Sequence, residues 1–225
     1  MAIVKFLSMV RMLNLPLMIG IGFALFQACS HSERPNSSSS RATAGAVTAE
    51  DSLVAARKTK DATFKSDSNS PIPPQDRERF QGLSYYPVNP ALRFHVRLVR
   101  YPHPESLRLA TSTGEMRDAL RYGYFEFDVQ GHTCRLQVYR TMEDIQAGRA
   151  ELFAPFRDAT SGRETYAGGR YIDLQENTSG LYDLDFNQAY NPYCAYSERY
   201  SCPLPPAENT LPVAIEAGER NYNKK

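Results

Sequence analysis

Apolar and polar residues alternate with a period of two through most of the second half of the chain. Phe94, Val96 and Leu98 alternate with His95 and Arg97. Phe125, Phe127 and Val129 alternate with Glu126 and Asp128, and Cys134, Leu136 and Val138 with Arg135 and Gln137. Successive side chains of an extended chain point to opposite faces, so this pattern predicts half-buried strands. Leu107 and Leu109 about Arg108, and residues 170–174, 181–186 and 211–216, continue it. Gln130-Gly131-His132 and Thr113-Gly114-Glu115 predict tight turns. Thr160-Ser161-Gly162 predicts a hairpin over 156–166, with glycine where φ must be positive.

Upstream of Arg93 the spacing turns helical. Leu53, Ala56, Lys60 and Phe64 form a thin stripe behind Thr48, a good N-cap, with Glu50 and Asp51 in the first turn. A helix is predicted over 49–65. Ser70-Pro71-Ile72-Pro73-Pro74 ends it, and a second short helix is predicted over 75–80. No helix-length segments separate the strands, which excludes a parallel α/β fold. The expectation is a mostly β (α+β) domain: an antiparallel β-barrel or β-sandwich of about eight short strands with one N-terminal helix.

The first residues follow a different logic. Lys5 and Arg11 precede an apolar run, 13–26, broken only by Asn14 and closing in Leu25-Phe26-Gln27-Ala28-Cys29. This reads as a signal peptide over 1–28. Ala28-Cys29 resembles the lipobox of bacterial lipoproteins, in which the cysteine is lipidated. Phe26 and Gln27 depart from its usual residues, so an uncleaved anchor and simple export stand as alternatives. Ser30 resembles an outer-membrane sorting signal. Residues 29–47, with serines at 37–40, are too polar and small to bury a core and read as a tether. Residues 48–225 read as a single β-rich domain. The expected location is the bacterial cell envelope, lipid-anchored, on the outer membrane and facing the periplasm.

The chain has 26 basic and 25 acidic residues, a formal net charge of +1. Such balance supplies no general attraction for nucleic acid and excludes that class of partner. Export places cysteines in an oxidising compartment, so Cys194 and Cys202, eight apart, are expected to lie close and pair as a disulfide. A metal site there would lack the further Cys or His ligands that zinc needs. Cys134 sits on the apolar side of a strand and reads as a buried, inert thiol.

Residues 156–209 are dense in aromatic rings, arginines, carboxylates and asparagines. Buried polar groups need partners, so this run encodes a specified polar network or a site. In the predicted hairpin Arg157, Asp158, Arg163 and Glu164 face one another, at ~0.2–1 kcal/mol per opposite pair. Arg157 and Arg170 also carry guanidinium forks that match carboxylate or phosphate. Asp183, Asp185 and Asn187 share a strand face. They begin like an EF-hand loop, but Gln188 and Cys194 stand where its glycine and glutamate are required. A looser calcium site and general acid–base chemistry by paired carboxylates stay open. Tyr190, Asn191, Tyr193, Tyr196 and Tyr200 form either a rigid binding surface or a lid folded over the fold's open end. The chain has no GxSxG, HExxH, phosphate-loop or dinucleotide glycine motif, its four histidines are scattered, and it lacks tryptophan.

The blocks FAPFRDATSGRETYAGGRYIDL and DFNQAYNPYCAYSERYSCPLPPAENTLPVAIEAGER, with SPIPPQDRERFQGLSYYP before them, resemble the signature of the bacterial domain-of-unknown-function family 1684. The resemblance runs over residues 49–220. It implies a compact, mostly β domain, found in both cytoplasmic and lipid-anchored proteins, and implies no catalytic role. Three functions stay in contention. The first is binding of a small anionic ligand or an envelope partner through Arg157, Arg170, Asp185, Asn187, Tyr190 and Asn191. The second is a carboxylate-dependent envelope hydrolase using Asp158, Glu164 or Asp185. The third is a structural envelope protein with no ligand. No cofactor and no metal are assigned.

Overall fold

Thr48 closes a capping box at the start of α1 (Ala49–Ser66): its hydroxyl accepts from the Asp51 N–H at 3.1 Å, and the Asp51 carboxylate accepts from the Thr48 N–H at 3.1 Å. Two of the helix's orphan donors are thereby satisfied. The structure, a computed structural model, describes residues 48–222. The predicted signal peptide, Cys29 and the tether lie outside the described residues. Only Phe64 of α1 is fully buried, as the thin apolar stripe requires. No helix among the described residues is long and apolar enough to cross a membrane. A short helix, α2 (Pro74–Arg77), follows.

Seven strands come next: β1 (Arg93–Arg97), β2 (Val99–Ala110), β3 (Met116–Val129), β4 (His132–Thr141), β5 (Glu151–Phe156), β6 (Arg170–Gln175) and β7 (Leu181–Asp185), with α3 (Met142–Gln146) between β4 and β5. Strands β2-β3-β4-β5-β6 form an antiparallel sheet in that order, and β1 pairs with β7 in a second, two-stranded sheet. Neither sheet closes on itself, so of the two predicted architectures the sandwich-like α+β arrangement is the one present.

The alternation does the sorting. Phe125, Phe127 and Val129 are buried, while Glu126 faces Arg135 across the strands at 3.0 Å and Asp128 accepts from the Thr133 hydroxyl at 2.6 Å. The β3–β4 turn is Gln130-Gly131, both at positive φ (51° and 78°). That is the geometry a two-residue hairpin needs, and glycine adopts it without strain. The two sheets meet through aromatic rings: Phe94 of β1 lies 4.8 Å from Phe127, and Phe186 lies 5.2 Å from Phe156. Leu136, Leu152, Leu184 and Ile215 are fully buried around them. At ~1.5–3 kcal/mol per buried large apolar side chain, this cluster is the main stabilising mass of the fold.

Two local expectations fail. The hairpin expected over 156–166 is absent, and the residues after Phe156 form turns. The Asp158 carboxylate accepts from the Thr160 N–H and hydroxyl at 3.2 and 2.7 Å, and the Thr160 carbonyl gathers the N–H groups of Arg163, Glu164 and Thr165. Side-chain capture of the backbone therefore replaces a ladder with turns. Residues 211–216 are not a strand. They run irregularly over the core, tied by Arg157 N–H to Asn209 C=O (2.9 Å), Leu211 N–H to Arg157 C=O (2.8 Å) and Ala159 N–H to Val213 C=O (3.0 Å).

Candidate functional site

The polar run predicted to hold a site divides into a closed network and an open groove. Arg170, the first residue of β6, is 1 % exposed. Its guanidinium bonds the Asp158 carboxylate at 3.0 Å, the Ile215 carbonyl at 2.8 Å, the Glu219 carbonyl at 3.2 Å and the Ala217 carbonyl. Asp158 in turn accepts from the Ile215 N–H at 2.8 Å. Burial works against the charge on Arg170 and the Asp158 carboxylate offsets it; an arginine so placed stays ionised. The pair thus pins the C-terminal segment onto β6.

Glu219, 2 % exposed, is the other internal anchor. It accepts from Lys60 Nζ at 2.5 Å, the Tyr196 hydroxyl at 2.5 Å and the Asn191 N–H at 2.9 Å. Gly218 positions it. With φ +75°, a Cβ there would sit 2.4 Å from the Ala189 carbonyl oxygen, so only glycine allows this approach.

Most predicted binding residues belong to this network. Asp185 caps a short 3-10 turn, taking the Asn187 N–H at 2.9 Å and its side-chain amide at 2.8 Å. Asn187 also bridges both backbone groups of Asn89, at 2.7 and 2.9 Å. Asn191 donates to the Arg220 carbonyl at 2.8 Å, and its own buried Oδ1 has no partner among the described residues. Arg157 spends its donors on the Ala167 and Pro205 carbonyls, at 3.3 and 3.2 Å. Glu164 is exposed, 3.8 Å from Arg163. Arg157 and Arg170, expected to act together, therefore bond different partners. Of the three predicted acids, Asp158 is held by Arg170, Asp185 by its cap, and Glu164 is a surface group. None of them lines the groove. Among the described residues no three His, Cys, Asp or Glu side chains are placed to hold a metal ion.

Of the predicted set, Tyr190 lines a cavity. Its hydroxyl donates to the Asp173 carboxylate at 2.5 Å, and Lys60 Nζ stands 4.9 Å above its ring. Tyr190 is paired to β6 by mutual backbone bonds with Tyr171, at 2.9 and 3.0 Å. This places Tyr171 and Asp173, two apart on one strand face, beside it. A cavity of about 510 Å³ runs over these residues to Tyr193, Tyr200 and Cys202. A second, of about 350 Å³, continues past Phe153, Gln175 and Glu151. Both share Arg117, Tyr171, Asp173, Tyr190 and Pro203, so they form one groove.

The groove's electrostatics are mixed. Solvent reaches Asp173, yet the crowding around its carboxylate raises its pKa. The Tyr190 hydroxyl works the other way, and Glu151 and Asp144 add to the rise. Burial likewise raises Tyr190 and Tyr171. Arg117 makes one hydrogen bond among the described residues, to the Ser201 carbonyl at 2.9 Å, and no carboxylate pairs with it there.

Cys202 forms part of the wall, and Cys194 lies against it. Both are free thiols, not at bonding distance, and the Cys194 N–H donates to Cys202 Sγ at 3.2 Å. Adjacency, expected from spacing and compartment, is present; the disulfide bond is not. Sequence reasoning missed Asp173, Tyr171, Arg117 and Lys60. RYIDL looked like an ordinary strand, and only its pairing with Tyr190 reveals Asp173 as a groove residue.

A protein-family model described as "Protein of unknown function (DUF1684)" matches residues 78–220. Helix α1, with Lys60, lies outside that match. No curated protein matches. A solution NMR structure of the uncharacterized protein from gene locus rrnAC0354 of Haloarcula marismortui is similar, with 41% identity and a TM-score of 0.59, over 76% of this chain and 93% of that one.

Proposed function

From the membership these matches establish, that the chain belongs to the DUF1684 family of unknown function, we propose that the domain binds a small anionic ligand in the groove. The ligand's acidic group meets Arg117 and Lys60, and its body lies against Tyr171, Tyr190 and Tyr193. The observation that carries this reading is the exposed Arg117 guanidinium without a carboxylate partner, beside four tyrosines in a cavity large enough for a small molecule. Of the residues predicted from sequence to bind, the proposal retains Tyr190 and assigns the rest to the scaffold that fixes it.

The setting we propose is the cell envelope. The basic and apolar N-terminus ending in Ala28-Cys29 supports export and lipid anchoring of Cys29, with the domain facing the periplasm. In that compartment the neighbouring Cys194 and Cys202 thiols would be joined.

Native mass spectrometry of the domain, purified from its own envelope fraction, tests the binding reading. The expected result is a mass excess that leaves on denaturation and is absent from an Arg117→Ala/Tyr190→Phe variant. No excess, or the same excess on the variant, overturns it. One observation favours a second reading, a carboxylate-dependent hydrolase. Asp173, its pKa raised and Glu151 nearby, suits a general acid better than Asp158, Glu164 or Asp185. Turnover of an envelope glycan abolished by Asp173→Asn would support that reading, and turnover unaffected by it would end it.

A further inference from the structure

We propose that Cys194 and Cys202 are a reversible thiol–disulfide exchange site at the edge of the groove, with the half-buried Cys194 the attacking sulfur and Cys202, which lines the groove, the resolving one. The fold brings the two thiols together without needing a bond between them. On one side, Cys194 follows Tyr193 and precedes Tyr196, whose rings lie 6.1 and 5.2 Å from Phe64 of α1. On the other, Cys202 is tied to the β2–β3 turn. Its N–H donates to the Ser112 hydroxyl at 3.1 Å, its carbonyl accepts from the Ser112 N–H at 2.9 Å, and the Tyr171 hydroxyl holds the next carbonyl, that of Pro203. Both walls are anchored independently, so the pair can open and close while its surroundings stay in place.

The two sulfurs are unlike. Cys194 is half-buried. Its sulfur accepts from the Tyr166 hydroxyl at 3.7 Å, and the Cys202 thiol is its neighbour. Cys202 foremost, then Tyr166, these neighbours lower its pKa to about 6 against the cost of burial. Cys202 is buried against the cavity wall, and its pKa is raised by that same interaction and by burial. Tyr166, Tyr171 and Arg117 are the other titratable groups facing the pair. At neutral pH the arrangement is one thiolate beside one thiol, the asymmetry that exchange requires.

The co-reactant is a low-molecular-weight disulfide, RS–SR, which meets the half-buried Cys194. The Cys194 thiolate attacks one of its sulfurs, an S–S bond forms to Cys194, and RS⁻ departs. Cys202 then gives up its proton to solvent and attacks Cys194 Sγ, expelling the second RS⁻. The two leaving thiolates take up protons. The net change is one protein dithiol oxidised and one small disulfide reduced to two thiols. Reduced small thiols run the sequence backwards.

The test uses the reduced protein and peptide-resolved mass spectrometry. Iodoacetamide alkylation is followed against pH, and the protein is separately exposed to oxidised glutathione. Alkylation of Cys194 is expected to rise with a midpoint near pH 6, while Cys202 and Cys134 react only in alkaline solution. Oxidised glutathione should yield the Cys194–Cys202 disulfide with two glutathiones released per chain. Cys202→Ser should stop at a mixed disulfide on Cys194, and Cys194→Ser should form none on Cys202. Reduced glutathione should reopen the wild-type bond. The proposal is overturned if Cys194 titrates as an ordinary thiol near pH 8.5. It is also overturned if both single variants trap glutathione equally, or if the formed bond resists reduced glutathione. None of these outcomes depends on the mass excess that tests the anionic-ligand reading, so the two can fail separately.

Discussion

The Asp158–Arg170 cluster and the Asp173–Tyr190 pair both join an ionisable side chain of β6 to a partner from a loop, and they behave oppositely. Arg170 begins the strand, faces inward and has its charge met by Asp158 and three carbonyls. Asp173, three residues on, faces outward and has a single hydroxyl donor, Tyr190. The first arrangement engages its carboxylate and both terminal guanidinium nitrogens, leaves only the buried Arg170 Nε without a partner among the described residues, and holds structure. The second keeps an accepting oxygen turned toward open space. Composition is nearly the same in both, and what separates them is how many partners surround the charged group.

The sharpest way to break this contrast is to remove one partner of the buried pair. Asp158→Ala leaves Arg170 buried and uncompensated and should cost about 3–5 kcal/mol, a large share of the ~5–15 kcal/mol typical of a domain. Urea denaturation reads it directly, and a loss below about 1 kcal/mol would mean that the pair is not the pin described.

Of comparable size is Asn209→Ala. Asn209 accepts from the Gln137 N–H at 2.8 Å and donates to the Gln137 and Pro155 carbonyls at 2.9 and 2.6 Å, joining the C-terminal segment to β4 and β5. About 1–3 kcal/mol is expected for each buried group left bare, with groove binding weakened only through loss of folded protein.

The groove side should respond the other way round. Tyr190→Phe removes one hydroxyl and should cost no more than about 1 kcal/mol in urea denaturation, yet reduce the retained mass excess. Were it as destabilising as Asp158→Ala, Tyr190 would belong to the scaffold.

The smallest effect is a dependence on pH. Burial raises Asp173 above its ordinary 3.8 in the folded protein, so folding favours its protonated form. The stability this contributes is present below the ordinary value and is lost as pH rises through the raised one. Asp173→Asn should therefore match the wild type at pH 3 and melt slightly higher at pH 7. A gap of the opposite sign would show that the carboxylate is held by favourable contacts rather than strained by crowding.

These contrasts mark what sequence can carry. Periodicity located β1, β3, β4, β6 and β7, and Thr48 located α1, because each signal lies within one short segment. The loop at 157–169 was misread because Asp158 and Thr160 turn the backbone through side-chain bonds that alternation does not register. Buried and groove polar residues looked alike because satisfaction is a property of distant pairs. Asp158 is settled by Ile215, Asn191 by Glu219, and Asp173 becomes a site residue only when Tyr190 pairs with β6. Arg117 and Lys60 reach the groove from β3 and α1, with no local mark of it.

Glu219 also bears on how the molecule comes into being. Synthesis runs from the N-terminus, and Lys60 leaves the ribosome 159 residues before the carboxylate that will hold it. Until then Tyr196, the Asn191 amide and the Arg170 guanidinium lack the acceptors that the final segment brings. A nascent chain halted short of Glu219 lacks this latch. Contacts this long in sequence are slow to find, and a half-made chain advertises itself to proteases through the very groups that the finished one conceals.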